Sequence, residues 1–381
     1  TKDYRGLSMF YGILGVLGIA LLYVWTRRYF SRTVAVIASA LLATSPWHNV
    51  YSRIPYNVAP ISLLVTIFMM SLMSCCLKEN KKWSFIGMVV SLSLMLQVHL
   101  SAFAFIPLFL IAWFTNWKKV KTSSVTVAVL LSLILFSPFI YYNVRNDFVG
   151  IKEILFLPQQ SPANTFLTNS IEAIGIPALL ATNHLGAYFL GSLNLFPKSI
   201  DLWFLVMTGI TLLLLGAGIG WVLYSLTKNK EREEKMRYGI PLMWLLLPIA
   251  LLILRNKNIG PHFYYILFPV QFMFIGIGIE KSMSFLKKIQ KKSLAVFLCI
   301  VVILLVISNA FYFMTFAKKV NDAGSTDGTY GITYKNKEEV IKEVQQNTQD
   351  DNLALVFYKK RDSGFSIILK NKGITATYEI A

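Results

Sequence analysis

The stretch SLAVFLCIVVILLVISNAFYFMTFA, residues 293–317, contains 25 residues and no charged side chain. An apolar helix of about 20 residues spans the roughly 30 Å hydrocarbon core of a bilayer, so this stretch is predicted to cross a membrane. Other apolar runs resemble it, although the second and the fifth are short. The predicted spans are residues 6–26, 33–47, 58–77, 83–100, 102–117, 123–142, 202–226, 238–254, 263–280 and 293–317.

The composition of the whole chain agrees with ten membrane spans. Of the 381 residues, 55% are apolar and only 15% are charged, whereas soluble domains carry roughly 25% charged residues. A soluble enzyme, a disordered chain and a disulfide-stapled secreted domain are therefore excluded. The cysteines Cys75, Cys76 and Cys299 all lie within apolar runs, which argues against a disulfide framework and a thiolate metal site.

The basic residues predict the orientation of the chain. The net charge is +18, and 19 of the 37 Lys and Arg residues lie in the loops on one side of the predicted spans. The opposite loops hold eight, and the tail after the last span holds ten. By the positive-inside rule the richer side is cytoplasmic, so the first residues and the tail both lie outside a multi-pass cell (cytoplasmic) membrane protein. Membrane orientation accounts for the basic charge, and no nucleic-acid partner is predicted.

Two segments interrupt the membrane pattern. The outer loop, residues 143–201, is long, and its part Asn164–Ile176 is predicted to be an amphipathic helix on the membrane surface. Residues 318–381 are polar and charge-mixed, with one helix-like and three strand-like stretches. These stretches are Lys335–Gln346 for the helix and Leu353–Tyr358, Phe365–Leu369 and Ile374–Ile380 for the strands.

The predicted fold class is therefore an all-α polytopic membrane protein with a small extracytoplasmic α/β domain at its C-terminus. Residues 1–317 are assigned to the membrane domain, which includes the outer loop 143–201, and residues 318–381 to the small domain.

The polar residues indicate a site at the outer face. The topology places all four histidines there, and the span interiors contain almost no ionisable side chain. Proton relays and ion pathways usually leave such side chains at mid-membrane depth, so a pump is disfavoured. A transporter or flippase for a lipid-linked saccharide is the main alternative from another class, and a non-catalytic membrane subunit is a third.

The densest polar and aromatic cluster is Ser45-Pro46-Trp47-His48-Asn49-Val50-Tyr51-Ser52-Arg53. Pro46 ends a span, and Trp47 and Tyr51 suit the membrane interface. Arg53 can bind a phosphate through two parallel hydrogen bonds. The alternative interpretation is an aromatic belt with an ordinary loop arginine, and composition alone slightly favours it.

Three further groups are candidates, each with a plain structural alternative. Arg255, Lys257 and His262 precede an aromatic run and suit a phosphate clamp or an interfacial anchor equally well. His99, at the outer end of its span, is more often a satisfied structural histidine than a ligand. Asp147 is the clearest outer acid near a span end, although a solvated loop charge is the favoured interpretation.

The order of these motifs resembles the GT-C membrane glycosyltransferases, and glycosyltransferase family 39 in particular, with its protein O-mannosyltransferases and related aminoarabinose transferases. The resemblance covers about residues 1–320, and the block from Ser45 to Arg53 is its most specific part. The other matching features are Arg5 before a glycine-dotted span, Arg27-Arg28-Tyr29-Phe30, Gln97-Val98-His99, Tyr142-Asn143-x-Arg145 and His262-Phe263-Tyr264-Tyr265 before a span that contains Pro269.

The resemblance implies a GT-C fold, a polyprenyl-phosphate-linked sugar donor, and a protein, lipid or glycan acceptor on the outer side. The residues predicted to bind the lipid phosphate are Arg53, Arg255, Lys257 and Arg5. Those predicted to line the pocket are His48, Tyr51, His99, Arg145, His262 and Tyr264.

The catalytic groups are less well defined than the binding residues. In the family the key carboxylate lies upstream of the residue that matches Arg5, so it is expected before Thr1. A second acid of some relatives is replaced by Ile54-Pro55-Tyr56-Asn57. Asp147 is therefore only a weak catalytic candidate, and a chain without the upstream carboxylate is expected to be inactive. No metal ligand or cofactor is assigned, and a divalent-metal requirement is left open.

Overall fold

The computed structural model describes residues 4–54, 56–77, 81–155, 166–182, 189, 198–255, 260–326, 332–347, 352–357 and 375–380. Helices dominate the described residues. They are α1 (Tyr4–Tyr29), α2 (Arg32–Thr44), α3 (Pro46–Tyr51), α4 (Ile61–Leu77), α5 (Lys81–Val98), α6 (Ile106–Asn116), α7 (Thr122–Arg145), α8 (Val149–Leu155), α9 (Phe166–Leu180), α10 (Lys198–Lys228), α11 (Arg232–Arg255), α12 (Phe268–Lys288), α13 (Lys292–Ala323) and α14 (Tyr334–Asn347). Short 3-10 segments cover Leu100–Phe105, Trp117–Lys119 and Pro261–Leu267.

Each predicted span corresponds to a helical segment, so the polytopic all-α fold class is confirmed. Within the described ranges, seven segments are long and apolar enough to cross a membrane. They are Arg5–Tyr29, Leu100–Lys119, Thr122–Arg145, Ile200–Lys228, Arg232–Leu254, Pro261–Lys288 and Lys292–Ala323. The second, third and fourth predicted spans correspond to α2, α4 and α5, which are shorter apolar helices.

Helix α12 lies at the centre of the membrane domain. Every residue from Phe268 to Ile279 is buried, and α12 packs against α2, α10 and α13. Contact with α10 is close because both helices carry a glycine at the crossing. A Cβ atom on Gly218 would overlap the carbonyl oxygen of Phe274, and one on Gly278 would overlap that of Leu214. The two backbones can therefore approach only because neither position has a side chain.

The N-terminal helices form the other side of the bundle. Helix α1 packs against α2 and α4, while α4 packs against α5 and α5 against α7. Much of α1 remains outside these contacts, and its apolar residues Met9, Ile13 and Val16 are exposed. Exposed apolar side chains on a helix of this length suit the hydrocarbon interior of a bilayer.

The last long helix continues further than the sequence predicts. Helix α13 ends at Ala323, so the predicted domain boundary between residues 317 and 318 falls within it. Gly324 ends the helix in the left-handed conformation, with φ of 70°, and its amide donates to the carbonyl of Val320 at 3.1 Å. Such a C-terminal glycine satisfies a helix carbonyl without strain.

The tail contains the predicted combination of helix and strands. Helix α14 lies over the predicted helical stretch, and strands β1 (Asn352–Phe357) and β2 (Thr375–Ile380) pair in parallel, with Asn352 opposite Thr375. The predicted strand Phe365–Leu369 lies outside the described residues. In the outer loop, α9 covers all of the predicted stretch Asn164–Ile176 except its first two residues, which also lie outside the described ranges.

Candidate active site

The short helix α3 lies at the end of the bundle where α1 begins. Ser45 separates it from α2, and the Ser45 side chain accepts a hydrogen bond from the His48 amide at 3.3 Å. Pro46 occupies the first turn, where a missing N–H costs nothing. The Asn49 side-chain amide donates to the carbonyls of Ala43 and Ser45, at 2.8 and 3.0 Å. At the break in the helix, three backbone groups therefore find side-chain partners.

Helix α3 directs His48 into the protein. The ring of His48 is 1% exposed, and its Nδ1 lies 2.7 Å from the hydroxyl of Tyr265, which is itself fully buried. Burial lowers the pKa of His48 to about 4, because the cationic imidazolium loses its hydration. His48 is therefore neutral at physiological pH and acts as a hydrogen-bonding group rather than as a cation.

Aromatic rings surround this pair. The rings of Tyr51 and Tyr265 lie 5.0 Å apart, and Trp47 and Phe189 pack beside Tyr51. The Pro261–Leu267 segment that carries Tyr265 is therefore packed against α3, and Tyr51 belongs to the same buried cluster as His48. These ring contacts join α3 to the Pro261–Leu267 segment.

A groove of about 600 Å³ runs along α1 to α3. Its long wall is apolar and includes Met9, Ile13 and Val16, while its end is polar. The polar end is formed by His48, Asn49, Ser52 and Arg53. Gly15 allows the two helices to meet there, since a Cβ atom on it would lie 2.7 Å from the Cβ of Ser52. The groove is thus apolar along most of its length and polar at one end. It can therefore take a lipid with a polar head.

Arg53 is the cation at the polar end of the groove. Its side chain is exposed, and its guanidinium lies over the ring of Phe313 in α13, 4.9 Å from the ring centre. Among the described residues no carboxylate forms an ion pair with it. Its hydrogen-bond donors are therefore available to an anion.

His99 and His262 form a second cluster. The ring of His99 is 5.6 Å from that of His262 and 4.6 Å from that of Phe263, and Tyr56 packs against His262 at 5.6 Å. His99 Nδ1 lies 2.9 Å from the Ser101 hydroxyl, so His99 also caps the 3-10 segment Leu100–Phe105. Neither histidine lines the groove. The structure therefore places the predicted pocket histidines in two groups.

The remaining predicted residues lie outside both groups. Arg5 forms an ion pair with Glu338 at 3.1 Å and lies over the ring of Tyr334. Arg145 lies over Tyr141 at the end of α7, and the exposed Asp147 follows it in a turn with φ of 49°. Helix α11 ends at Arg255, but its side chain and all of Lys257 lie outside the described residues.

Two site residues were missed by the sequence analysis. The sequence predicts Tyr264 as a pocket residue, and Tyr264 is buried at 1% exposure, but its neighbour Tyr265 is the partner of His48. Phe313 is the second residue, and the sequence predicts it only as part of a membrane span. The period of an α-helix cannot show which of Tyr264 and Tyr265 faces His48. The segment Pro261–Leu267 is a 3-10 helix, in which the side chains follow a different period.

Metal ligands are not grouped in the parts of the chain that the structure describes. No three His, Cys, Asp or Glu side chains in those ranges lie close enough together to hold an ion. The described site is therefore built from hydrogen-bonding groups, one guanidinium and aromatic rings.

Comparisons with known proteins support the resemblance noted in the sequence. A family model described as dolichyl-phosphate-mannose-protein mannosyltransferase matches residues 3–142. The structure is similar to that of ArnT from Cupriavidus metallidurans bound to undecaprenyl phosphate, with a TM-score of 0.61 and 11% sequence identity, over 96% of this chain and 70% of that one. Against ArnT in the apo state the TM-score is 0.59 at 11% identity, over 98% of this chain and 71% of that one.

No curated protein matches the chain in sequence. At 11% identity the structural similarity shows the fold. The resemblance to the GT-C membrane glycosyltransferases is thus confirmed, and the polytopic fold is the one seen in ArnT.

Proposed function

We propose that this chain is a membrane glycosyltransferase that transfers a sugar from a polyprenyl-phosphate carrier to an acceptor on the extracytoplasmic side. The observation that carries the proposal is the amphipathic groove between α1 and α3, with the exposed Arg53, which no carboxylate of the described residues pairs, at its polar end. The family match over residues 3–142 covers both of these helices and supports the same function.

The groove suits both parts of such a carrier. A polyprenyl chain would lie along Met9, Ile13 and Val16, where burial of apolar surface contributes about 25 cal/mol per Å². The phosphate would then lie at Arg53, which can donate two parallel hydrogen bonds to it. Undecaprenyl phosphate is bound in one of the ArnT structures, and it is the carrier that we propose for testing.

Arg53 would act most strongly on the leaving group. The acceptor hydroxyl oxygen bonds to the anomeric carbon, the bond from that carbon to the phosphate oxygen breaks, and the hydroxyl proton passes to a base. The carrier leaves as a phosphate monoester, which gains one negative charge in the process. A cation held beside that oxygen stabilises the transition state more than the ground state.

Other parts of the proposal come from the sequence. Arg255, Lys257 and Arg5 are proposed as further cations near the carrier phosphate, and Asp147 as the carboxylate candidate. The acceptor, whether protein, lipid or glycan, is proposed to arrive from the outer side because the basic loops assign the opposite side to the cytoplasm.

The test compares Arg53→Lys and Arg53→Ala with the unchanged protein, all in the full-length form, in detergent or nanodiscs. We expect both variants to lose turnover of undecaprenyl-phosphate-linked hexoses and pentoses by about 10²–10³-fold, as when one transition-state donor is removed. Lysine keeps the charge but lacks the planar fork. Arg27→Lys is the matched control, because Arg27 is also exposed and also lies over an aromatic ring, that of Tyr23, but is at the end of α1 away from the groove.

The readout is release of free undecaprenyl phosphate together with transfer of labelled sugar. A flippase would move the carrier without releasing it from the sugar, so absence of release in the unchanged chain would favour that alternative. If folded Arg53 variants keep turnover within a few-fold, the arginine does not serve the leaving group.

A further inference from the structure

A second cavity lies behind Arg53. Its volume is about 300 Å³, and it is enclosed by α3, the outer end of α13 and residues 333–335 at the start of α14. It shares Asn49 and Arg53 with the groove along α1. The two cavities are therefore separated by a wall that contains the guanidinium proposed to bind the carrier phosphate.

The tail forms a defined wall of this cavity. After Gly324 the chain turns back, with a backbone bridge between Ser325 and Ile332 and a hydrogen bond from the Thr333 amide to the Gly324 carbonyl at 2.8 Å. Helix α14 is then held against α1, because Arg5 pairs with Glu338 and lies 5.3 Å from the centre of the Tyr334 ring. The ion pair is exposed and contributes little alone, but the backbone bonds fix the turn.

The chemistry of the lining suits a saccharide. Phe313 and Phe316 form an aromatic surface, with their rings 6.3 Å apart and the Arg53 guanidinium over one face of Phe313. Around it lie the polar side chains of Asn321, Tyr334 and Lys335. The electron-rich face of an aromatic ring attracts the C–H groups of a sugar ring, and amides, phenols and amines bind hydroxyl groups. No carboxylate is among the described lining residues, so a cationic ligand is disfavoured.

We infer that this cavity is the acceptor site and that it takes the saccharide head of a glycan or glycolipid. The inference rests on the proposed function, since a transferase must bring two substrates together. With the carrier phosphate on one side of Arg53 and the acceptor sugar on the other, the acceptor hydroxyl reaches the anomeric carbon at the shared wall. The tail thereby selects the acceptor, while the groove selects the carrier.

The experiment blocks the cavity without touching the groove. In a full chain whose native cysteines are replaced by serine, Asn321→Cys is modified with a bulky methanethiosulfonate-biotin reagent. Asn321 lines the cavity, whereas the next residue, Asp322, is exposed and does not. Modified Asp322→Cys is therefore the matched control. Binding of undecaprenyl phosphate is measured beside transfer of labelled sugar from the polyprenyl donor into native membranes.

We expect modification at position 321 to lower sugar transfer at least tenfold and to change undecaprenyl phosphate binding by less than twofold. Modification at position 322 should change neither sugar transfer nor undecaprenyl phosphate binding. The labelled product should be saccharide that resists proteinase K. If the unmodified chain transfers sugar and the block at position 321 has no effect, or if the label enters protein, the acceptor site is wrong and the proposed function stands. If the unmodified chain transfers nothing from any polyprenyl donor, the proposed function fails as well.

Discussion

At the scale of single residues, the burial of His48 determines a response to acid. Its pKa is lowered to about 4 by burial, whereas an exposed histidine titrates near 6.5. Between about pH 4 and pH 6.5, His48 therefore binds a proton in the unfolded chain but not in the folded chain. The contribution of neutral His48 to the free energy of unfolding is fully present above about pH 6.5 and is lost as the pH falls through about 4. The loss amounts to roughly 3 kcal/mol.

The prediction is checked by melting the detergent-solubilised protein at several pH values between 7.5 and 4.5. His48→Asn keeps a hydrogen-bonding group near the Tyr265 hydroxyl but cannot titrate. We expect this variant to melt lower at pH 7.5 and to lose less stability than the unchanged chain on acidification. Other titrating groups are common to both proteins, so parallel pH profiles would show that His48 is not the group responsible.

The sequence predicted part of this site at the level of residues. His48 and Arg53 lie within one short motif, so a local pattern could bring them to the same groove. The contact of Arg5 with Glu338 joins residues 333 positions apart, and no local pattern encodes it. Arg53 over Phe313 is a similar case, because nothing in an apolar span marks the one ring that will lie beneath a guanidinium.

At the scale of elements, the crossing of α10 and α12 gives a sharp prediction. Gly218→Ala would place a methyl group on the Phe274 carbonyl oxygen, which is backbone and cannot turn aside. We expect a loss of about 1–3 kcal/mol, as for overpacking of a core. The measurement is the melting temperature in detergent and the monodisperse fraction on size exclusion.

Gly216→Ala on the same helix provides the control. A Cβ atom at Gly216 meets nothing within 4 Å, and alanine is the better helix former. This variant should melt at or slightly above the temperature of the unchanged chain. Equal losses in the two variants would mean that the effect comes from the helix backbone and not from the crossing.

Apolar runs predicted the helices well, because the thickness of the hydrocarbon core sets the length of a membrane-spanning helix. They could not predict the 3-10 segments Leu100–Phe105 and Pro261–Leu267, in which apolar residues continue but the backbone geometry changes. They also could not predict which glycines lie at a crossing. Gly216 and Gly218 are alike in the sequence, and only their partners in the fold distinguish them.

At the scale of the whole molecule, the charge pattern predicts the side of the membrane that the site faces. The groove, the second cavity and α14 all lie at the end of the bundle where α1 begins and α13 ends. The charge-rich loops lie at the opposite end, after α1, α10 and α12. If the positive-inside rule holds for this chain, both cavities open to the outside, where a sugar acceptor of the cell envelope would be found.

This orientation is tested with single cysteines in the cysteine-free chain. Asp147→Cys lies in the turn after α7, and Glu233→Cys lies at the start of α11, where the native side chain is 60% exposed. A membrane-impermeant maleimide should label position 147 in intact cells and should label position 233 only after permeabilisation. Labelling in the reverse order would place the cavities on the cytoplasmic side. The donor and acceptor would then have to be cytoplasmic, and the proposed extracytoplasmic transfer would be wrong even if Arg53 proved essential.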